Sequence, residues 1–244
     1  MVQIKYGRTE IAYDGYPEFL KEIVRANEFV SILDIGGGAH PMFSMEYIAT
    51  EKLAYTVLDI SQEELARTPD AYTKLQMDIA SSEVSFARGY DFVFSRFMVE
   101  HVYDAEQMHL NVLNALRPGG MAVHFFPTLY ALPFLVNWLL PNWAAALCLS
   151  KERRERGKFP AYYKWCVGPS NRSVRRLEKV GFEVIEYSGF FGHGYYDGVS
   201  FLRNVHGWFR KKLLLHPYPL FTSFAWVVLR KPMENDTGGL LLQN

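Results

Sequence analysis

The run Val30 to Pro41, V-S-I-L-D-I-G-G-G-A-H-P, constrains this chain more than any other stretch. Val30, Ile32, Leu33 and Ile35 surround one acid, Asp34, and the apolar residues give way to Gly36, Gly37 and Gly38. A short apolar run rich in β-branched residues and stopped by glycines has the pattern of a strand buried on both faces of a parallel sheet. Glycine carries no Cβ, so the turn after such a strand can bend tightly and bring its backbone against a ligand. The rest of the chain must then supply a sheet around this strand and a ligand for its turn.

The flanking pattern supplies the sheet. Ala54 to Asp59 predicts a second strand ending in an acid, and Ser61 with Glu64 forms a capping box for the helix behind it. Thr73 to Asp78 predicts a third acid-terminated strand, Tyr90 to Arg96 a fourth and Met121 to Phe126 a fifth. A short helix fits Pro41 to Lys52. A longer one fits Ala105 to Leu116, with Met108, Val112, Leu113 and Leu116 as its apolar stripe and Arg117-Pro118-Gly119-Gly120 as its stop. Later come a helix from Asn171 to Val180 ended by Gly181, a strand from Phe182 to Tyr187 and a last strand from Phe221 to Leu229. Strands alternating with helices predict an α/β domain: a Rossmann-like open, mostly parallel seven-stranded sheet with helices on both faces.

A single domain with internal divisions follows. Residues 1–29 read as an approach segment, with turn chemistry at Asp14-Gly15-Tyr16-Pro17 and helical spacing at Phe19, Leu20, Ile23 and Val24. Residues 30–127 form the core, 128–169 and 189–221 interrupt the alternation as insertions, and 232–244 form a frayed tail. An apolar share of 49% is ample for such a core. Lys plus Arg equals Asp plus Glu at 26 each, which removes any global attraction to nucleic acid. Cys148 and Cys166 form no C-x-x-C pair, and the first residues lack a signal peptide's apolar core, so the expectation is a cytoplasmic protein with reduced thiols.

An open parallel sheet binds ligands beyond the carboxyl ends of its strands, and acids stand at three of these: Asp34, Asp59 and Asp78. Asp59 follows Gly38 by about 20 residues, where nucleotide-binding sheets place the carboxylate that holds a ribose hydroxyl pair. Pro41 stands where a dinucleotide fingerprint needs its third glycine, which ranks a nicotinamide oxidoreductase last. The absence of G-K-[ST] excludes a P-loop. An adenosine without phosphates fits better, and S-adenosylmethionine is such a ligand.

The motifs I-L-D-I-G-G-G, the strand-end Asp59, Q-M-D-I-A, Y-D-F-V-F-S-R-F-M-V-E-H-V and L-R-P-G-G-M-A-V, in this order, resemble those of class I S-adenosylmethionine-dependent methyltransferases, nearest the ubiquinone-biosynthesis and type 11 group. The resemblance covers residues 28–127, with helix and strand counterparts at 170–188 and 221–230. It implies that Asp34, Gly36, Gly37 and Gly38 shape the pocket for the methionine moiety. Asp59 would bind the ribose hydroxyls with Ile60 against the adenine. Asp78 would accept from the adenine amino group beside Ile79, and Ser95, Arg96 and Phe97 would lie near the sulfonium. His40, where family turns often carry glycine, reads as a solvent-facing turn residue.

Methyl transfer relies on proximity, and a general base is needed only for an acceptor that must lose a proton. His101 is the candidate base, with Glu100 either orienting it or facing solvent, whereas His124 reads as a core histidine. The acceptor is expected to be a small-molecule, lipid-linked or glycan group methylated on oxygen. A catalytically silent cofactor-binding protein that supports a partner is the alternative. Nucleic acid is not an expected partner, since Ser95-Arg96-Phe97-Met98 replaces the amino-methylating signature.

Substrate recognition is expected in the insertions, from Tyr130, Trp138, Trp143, Tyr162, Tyr163 and Trp165, and from His193, Tyr195, Tyr196 and Asp197; the last four suggest no metal site. The uncharged run Ala131 to Ser150 carries Pro133, Asn137, Pro141 and Asn142, which argue against a transmembrane span. It leaves two readings, a buried lid or an interfacial hairpin. Basic residues at Lys151, Arg153, Arg154, Arg156 and Lys158, and Arg210-Lys211-Lys212 beside Trp208 and Phe209, point to peripheral membrane contact through 131–158 and 208–212.

Overall fold

The run that ends in three glycines is a strand over Ser31–Ile35, every residue of it buried. It sits inside a sheet, as its composition demands. The computed structural model describes residues 2–129, 160–193 and 200–233. Its strands are β1 (Gln3–Arg8), β2 (Ser31–Ile35), β3 (Ala54–Asp59), β4 (Thr73–Gln76), β5 (Tyr90–Arg96), β6 (Leu116–Pro127), β7 (Glu183–Phe191) and β8 (Phe224–Arg230). The helices are α1 (Thr9–Ala26), α2 (Met45–Thr50), α3 (Gln62–Arg67), α4 (Ala105–Ala115), α5 (Asn171–Val180) and α6 (Ser200–Leu215). The sheet order is β1-β7-β8-β6-β5-β2-β3-β4, and β8 alone runs antiparallel to its neighbours. Because β2 pairs with β3 on one side and β5 on the other, the strand order reverses there and leaves a crevice at its carboxyl end.

Consecutive residues of β6 show that helices cover both faces. His124 meets His109 of α4 at 5.5 Å between ring centroids, while Phe125 meets Tyr16 of α1 at 5.0 Å. Neighbouring side chains of a strand point to opposite faces, so α1 and α4 lie on opposite sides. The open, mostly parallel, Rossmann-like sheet is therefore the expected one, with eight strands among the described residues where seven were expected.

The extra strand is β1, inside the segment read as an approach. It is an edge strand with Ile4 40% exposed, so it carries no apolar run to announce it. It pairs parallel with β7, Tyr6 stacks on Phe191 at 5.6 Å, and Lys5 pairs with Glu186. The turn expected at Asp14 to Pro17 is instead the middle of α1. Proline inside a helix removes a donor and crowds the preceding turn. The burial of Ala12, Tyr16, Leu20 and Val24 along one face outweighs that cost. Tyr16 is fully buried, and its hydroxyl is directed at the carbonyls of Ser95 (2.9 Å) and Val123 (3.3 Å).

Other boundaries moved for local reasons. The Arg117 to Gly120 run does not separate α4 from a strand at Met121. It bulges out of β6, whose pairing passes from Tyr90 with Leu116 to Phe92 with Met121. Asp91, opposite the bulge, holds Arg117 at 2.7 Å and accepts the amides of Val30 and Ser31. β4 stops at Gln76, so Asp78 lies past the strand rather than at its end. β7 runs on to Phe191 and α6 occupies Ser200–Leu215, so part of the second insertion is regular structure. The last strand starts at Phe224, after a short 3-10 turn at Pro219–Phe221. Tyr130, Trp138, Trp143, Cys148, the basic cluster 151–158, Tyr195, Tyr196, Asp197 and the tail from 234 lie outside the described residues.

Tyr16→Phe should lower stability by about 1–2 kcal/mol, because two buried carbonyls lose a shared donor while packing volume is kept. Urea unfolding of both proteins at equal slope checks this, and an unchanged midpoint would mean that the hydroxyl contributes nothing.

Candidate active site

The site begins with a buried acid. Asp34 is 3% exposed, and its Oδ2 accepts the Tyr55 hydroxyl at 2.5 Å and the Met42 amide at 3.0 Å. Burial raises its pKa to about 6 against the opposing pull of those two donors. The chain thus leaves β2, turns through the glycines and returns to the same carboxyl eight positions later. Gly37 crosses directly over it, and a Cβ there would stand 2.7 Å from Asp34 Oδ2. Gly38 has φ +41°, and a Cβ there would stand 2.9 Å from Asp59 Oδ2. The Thr68 hydroxyl donates to the Gly38 carbonyl at 2.6 Å and fixes the turn from the α3 side.

Two adjoining cavities open above this turn. One, of about 280 Å³, has apolar walls from Leu58, Ile60, Ile79, Met98 and Val102, with Asp59, Asp78, His101 and Tyr103 as its polar groups. The other, of about 220 Å³, is more polar, with Asp34, the glycine turn, His40, Glu64 and Arg96 around it beside Met42 and Phe97. Gly36, Asp59 and Phe97 line both, so one elongated ligand can extend across the pair.

Asp59 stands at the junction. Its Oδ1 caps the amide of Ser61 at 2.9 Å, while its Oδ2 lies beside the Gly38 turn. Burial raises its pKa, partly opposed by the Ser61 amide. Ser61 caps α3 as expected, accepting the Glu64 amide at 3.2 Å. The reciprocal half of the capping box is replaced, because Asp59 already holds the Ser61 amide and Glu64 turns to Arg67. Asp78 is held by the Ala80 amide at 2.9 Å and lines the apolar cavity with Ile79. Ile60 is 62% exposed, a flat apolar wall of the kind an aromatic base covers. His40 is an exposed turn residue at the rim, as expected.

Ser95, Arg96 and Phe97 part company. Ser95 is fully buried and its hydroxyl meets His124 Nδ1 at 2.8 Å on the α4 face, so its side chain does not line either cavity. The strand alternation sends it away from the site. Arg96 lines the polar cavity, and its charge lowers the pKa of Asp34. Phe97 takes φ +54°, a left-handed conformation that is uncommon for a bulky side chain and points to a functional constraint. Its ring meets Tyr13 at 5.2 Å, Phe125 at 4.8 Å and Phe224 at 6.0 Å. Tyr13 and Phe224 also line a third cavity of about 340 Å³, together with His193, Arg203, His206 and Arg210. An aromatic group thus separates the paired cavities from the third.

His101 lies in a short 3-10 turn at Val99–His101 and lines the apolar cavity. Its Nδ1 is 2.8 Å from the Pro160 carbonyl, which can only accept, so Nδ1 carries the proton and the basic lone pair sits on Nε2. Glu100 does not face solvent: it is 5% exposed, its Oε2 is buried without a partner, and burial lifts its pKa to about 8. Its Oε1 is 3.8 Å from His101 Nε2, too long for a hydrogen bond. A carboxyl protonated at neutral pH makes this contact no ion pair there. His124 is the core histidine expected, held neutral by burial. Trp165 and Tyr163, read as substrate residues, belong to the core instead: Trp165 stacks on His109 at 5.2 Å and Tyr163 is 6% exposed. Tyr162 is 43% exposed, and its amide donates to the Glu100 carbonyl at 2.7 Å. Tyr55, Thr68, Met98 and Tyr13 were not singled out in the sequence. Only the alternation of β3, which puts Tyr55 on the face of Val57, hinted at the first. Among the described residues no group of histidine, cysteine and carboxylate side chains is arranged to hold a metal.

A family model described as a methyltransferase domain matches residues 6–187, and the chain belongs to that family. The matched residues carry the walls of both paired cavities. The chain is similar to phosphoethanolamine N-methyltransferase 2 of Caenorhabditis elegans, 31% identical over 124 residues, or 47% of this chain. It spans only 28% of the length of that relative. In fold it is similar to an S-adenosylmethionine-dependent methyltransferase from Clostridium acetobutylicum, at a TM-score of 0.58 and 13% identity over 90% of this chain and 92% of that one. It is also similar to Haemonchus contortus phosphoethanolamine N-methyltransferase 2 in complex with S-adenosyl-L-methionine, at a TM-score of 0.51 and 20% identity over 84% of this chain and 49% of that one.

The Asp34 carboxyl gives a pH signature. Its folded pKa, about 6, lies above its ordinary value of 3.8, so the folded state binds the proton more tightly. That preference stabilises the fold below about pH 4 and is lost as pH rises through 6. Relative to Asp34→Asn, the wild-type protein should lose roughly 2 kcal/mol between pH 4 and 7. Parallel pH–stability curves by urea unfolding test this, and curves that stay parallel would show that Asp34 does not titrate on unfolding.

Proposed function

We propose that S-adenosylmethionine lies across the paired cavities and that its methyl group passes to a small-molecule or lipid-linked acceptor reaching it from the side of Phe97. The observation that supports this reading best is that two adjoining cavities share Gly36, Asp59 and Phe97 as walls, one largely apolar and the other mixed, as an adenosine joined to an amino acid requires. In this reading Asp59 would hold the ribose hydroxyl pair, Ile60 and Ile79 would form the apolar wall for the adenine, and Asp78 would accept from its amino group. The turn Gly36 to Gly38 passes under the amino-acid end, where the Arg96 guanidinium complements a carboxylate. Bound there, the cofactor would supply a methyl group activated on a sulfonium and would leave as the neutral thioether.

The chain's own contribution is orientation and proton removal. His101 is held by the Pro160 carbonyl through Nδ1, with its lone pair on Nε2, so it would be the group to take the proton from an acceptor that must lose one. An acceptor that must lose a proton is a hydroxyl in the first instance. Similarity to an N-methyltransferase over 124 residues favours a second reading, an amine acceptor deprotonated by the same group. Incubation with panels of hydroxy and amino acceptors, followed by mass spectrometry for one added methyl, separates the two.

Asp59→Ala should weaken S-adenosylmethionine binding by at least tenfold, since charge-assisted hydrogen bonds are worth about 1.5–3 kcal/mol. Near wild-type affinity by calorimetry would remove Asp59 from the site. His101→Ala should lower kcat by about 10²–10⁴-fold with a much smaller effect on cofactor affinity. Equal losses in both would make His101 a wall of the cofactor cavity rather than a base.

A further inference from the structure

A surface helix ordinarily turns its apolar stripe to the core and its charges to water. α6 does the reverse. Phe201, Val205, Trp208 and Leu215 recur at helical spacing on one face, and they are 74%, 49%, 62% and 72% exposed. Phe209, 42% exposed, widens the stripe, and Lys212 stands within it, its ammonium 5.9 Å from the Trp208 ring centroid. The opposite face is polar and turned to the protein. Arg210 pairs with Glu10 of α1 at 2.5 Å, and His206 stacks on His193 at 4.1 Å. Leu213 is an apolar contact on that side, 8% exposed.

The charge of the helix selects what can cover this stripe. Ser200–Leu215 contains Arg203, Arg210, Lys211 and Lys212 and no acid. A second copy of α6 would bring like charges together on the same patch, whereas an anionic surface neutralises them. Lys212, inside the stripe, can lay its methylene stem along the apolar face and carry its ammonium out to the phosphates, as Lys211 beside the stripe can. The Trp208 ring suits the boundary between acyl chains and headgroups. No helix among the described residues is long and apolar enough to cross a membrane, so contact through α6 is contact from one side.

We infer that α6 docks flat on an anionic lipid bilayer, with Phe201, Val205, Trp208 and Leu215 inserted and Lys211 and Lys212 at the phosphates. Docking also has a geometric consequence. Arg203, His206, Gly207 and Arg210 on the inner side of α6 line the third cavity, so a docked helix sets that cavity beside the lipid surface. A lipid-linked acceptor then reaches it without leaving the interface; this last step rests on the acceptor reading above, and the docking does not.

The test is co-sedimentation of the full chain with phosphatidylcholine vesicles and with vesicles that also contain phosphatidylglycerol. The wild-type protein should bind the anionic vesicles, bind phosphatidylcholine alone far more weakly, and dissociate as salt is raised. Lys211→Glu with Lys212→Glu should lower binding about tenfold or more. Trp208→Ser with Phe201→Ser should lower it about tenfold at unchanged salt dependence. S-adenosylmethionine calorimetry and thermal unfolding, both expected to match wild type, show that the variants are folded and separate a failure of docking from a failure of the cofactor site. Three results would overturn the proposal: no vesicle binding; binding that the α6 substitutions leave intact, which would place the contact elsewhere in the chain; or a dimer dispersed by Trp208→Ser that excludes vesicles, which would make a second copy the occupant.

Discussion

A carboxyl buried at the end of the central strand needs donors, and the site is built from the donors Asp34 finds. Tyr55 reaches it from β3 and the Met42 amide reaches it from beyond the glycine turn. Burying an acid without such partners costs several kcal/mol, so the turn cannot relax outward without exposing or orphaning the group. The path of residues 36–42 is therefore set by a side chain beneath it. Gly37 is the residue that passes over the carboxyl, where any side chain would collide with it. What faces a ligand above the turn is backbone, and what holds that backbone is Asp34 below it and Thr68 beside it.

The two halves of the sheet divide the work around that point. Strands β2, β3 and β5 bring Asp34, Asp59 and Arg96 to the paired cavities, and the loop after β4 adds Asp78 and Ile79. On the other half, α1, α6, His193 just past β7 and the start of β8 line the third cavity. Phe97 stands between the halves, in a conformation that costs of order 1–3 kcal/mol for a residue with a side chain. Its amide donates to the Phe125 carbonyl at 2.8 Å and its ring packs among Tyr13, Phe125 and Phe224, which holds the strained backbone in place.

Much of this was legible in the sequence because local pattern and long-range structure agree. β2, β3 and β5 are buried on both faces and announce themselves as apolar runs, and Asp59 could be placed by counting from the glycines. β1 was hidden because an edge strand needs no apolar run, and α1 because Pro17 reads locally as a breaker while the burial of Tyr16 is a tertiary fact. The Tyr55 to Asp34 contact joins two strands whose register no local pattern states. Ser95 shows the reverse error: its place at the end of β5 was right, but one step of alternation turns its hydroxyl to His124. Trp165 looked like a recognition residue because tryptophan is common in both roles, and only its stacking on His109 decides between them.

The pairing of β1 with β7 bears on the order in which the sheet is assembled. Gln3 lies opposite Glu186, so β1 has no partner until synthesis has passed through β7. The hydroxyl of Tyr16 likewise waits for the carbonyls of Ser95 and Val123. Contacts this distant in sequence close slowly, because the loop entropy is lost before the contact is gained. The central strands β2 to β6 pair with closer neighbours and can form first. The paired cavities then take shape on a nascent chain whose third cavity is still open on the side that α1 and the residues just past β7 will close.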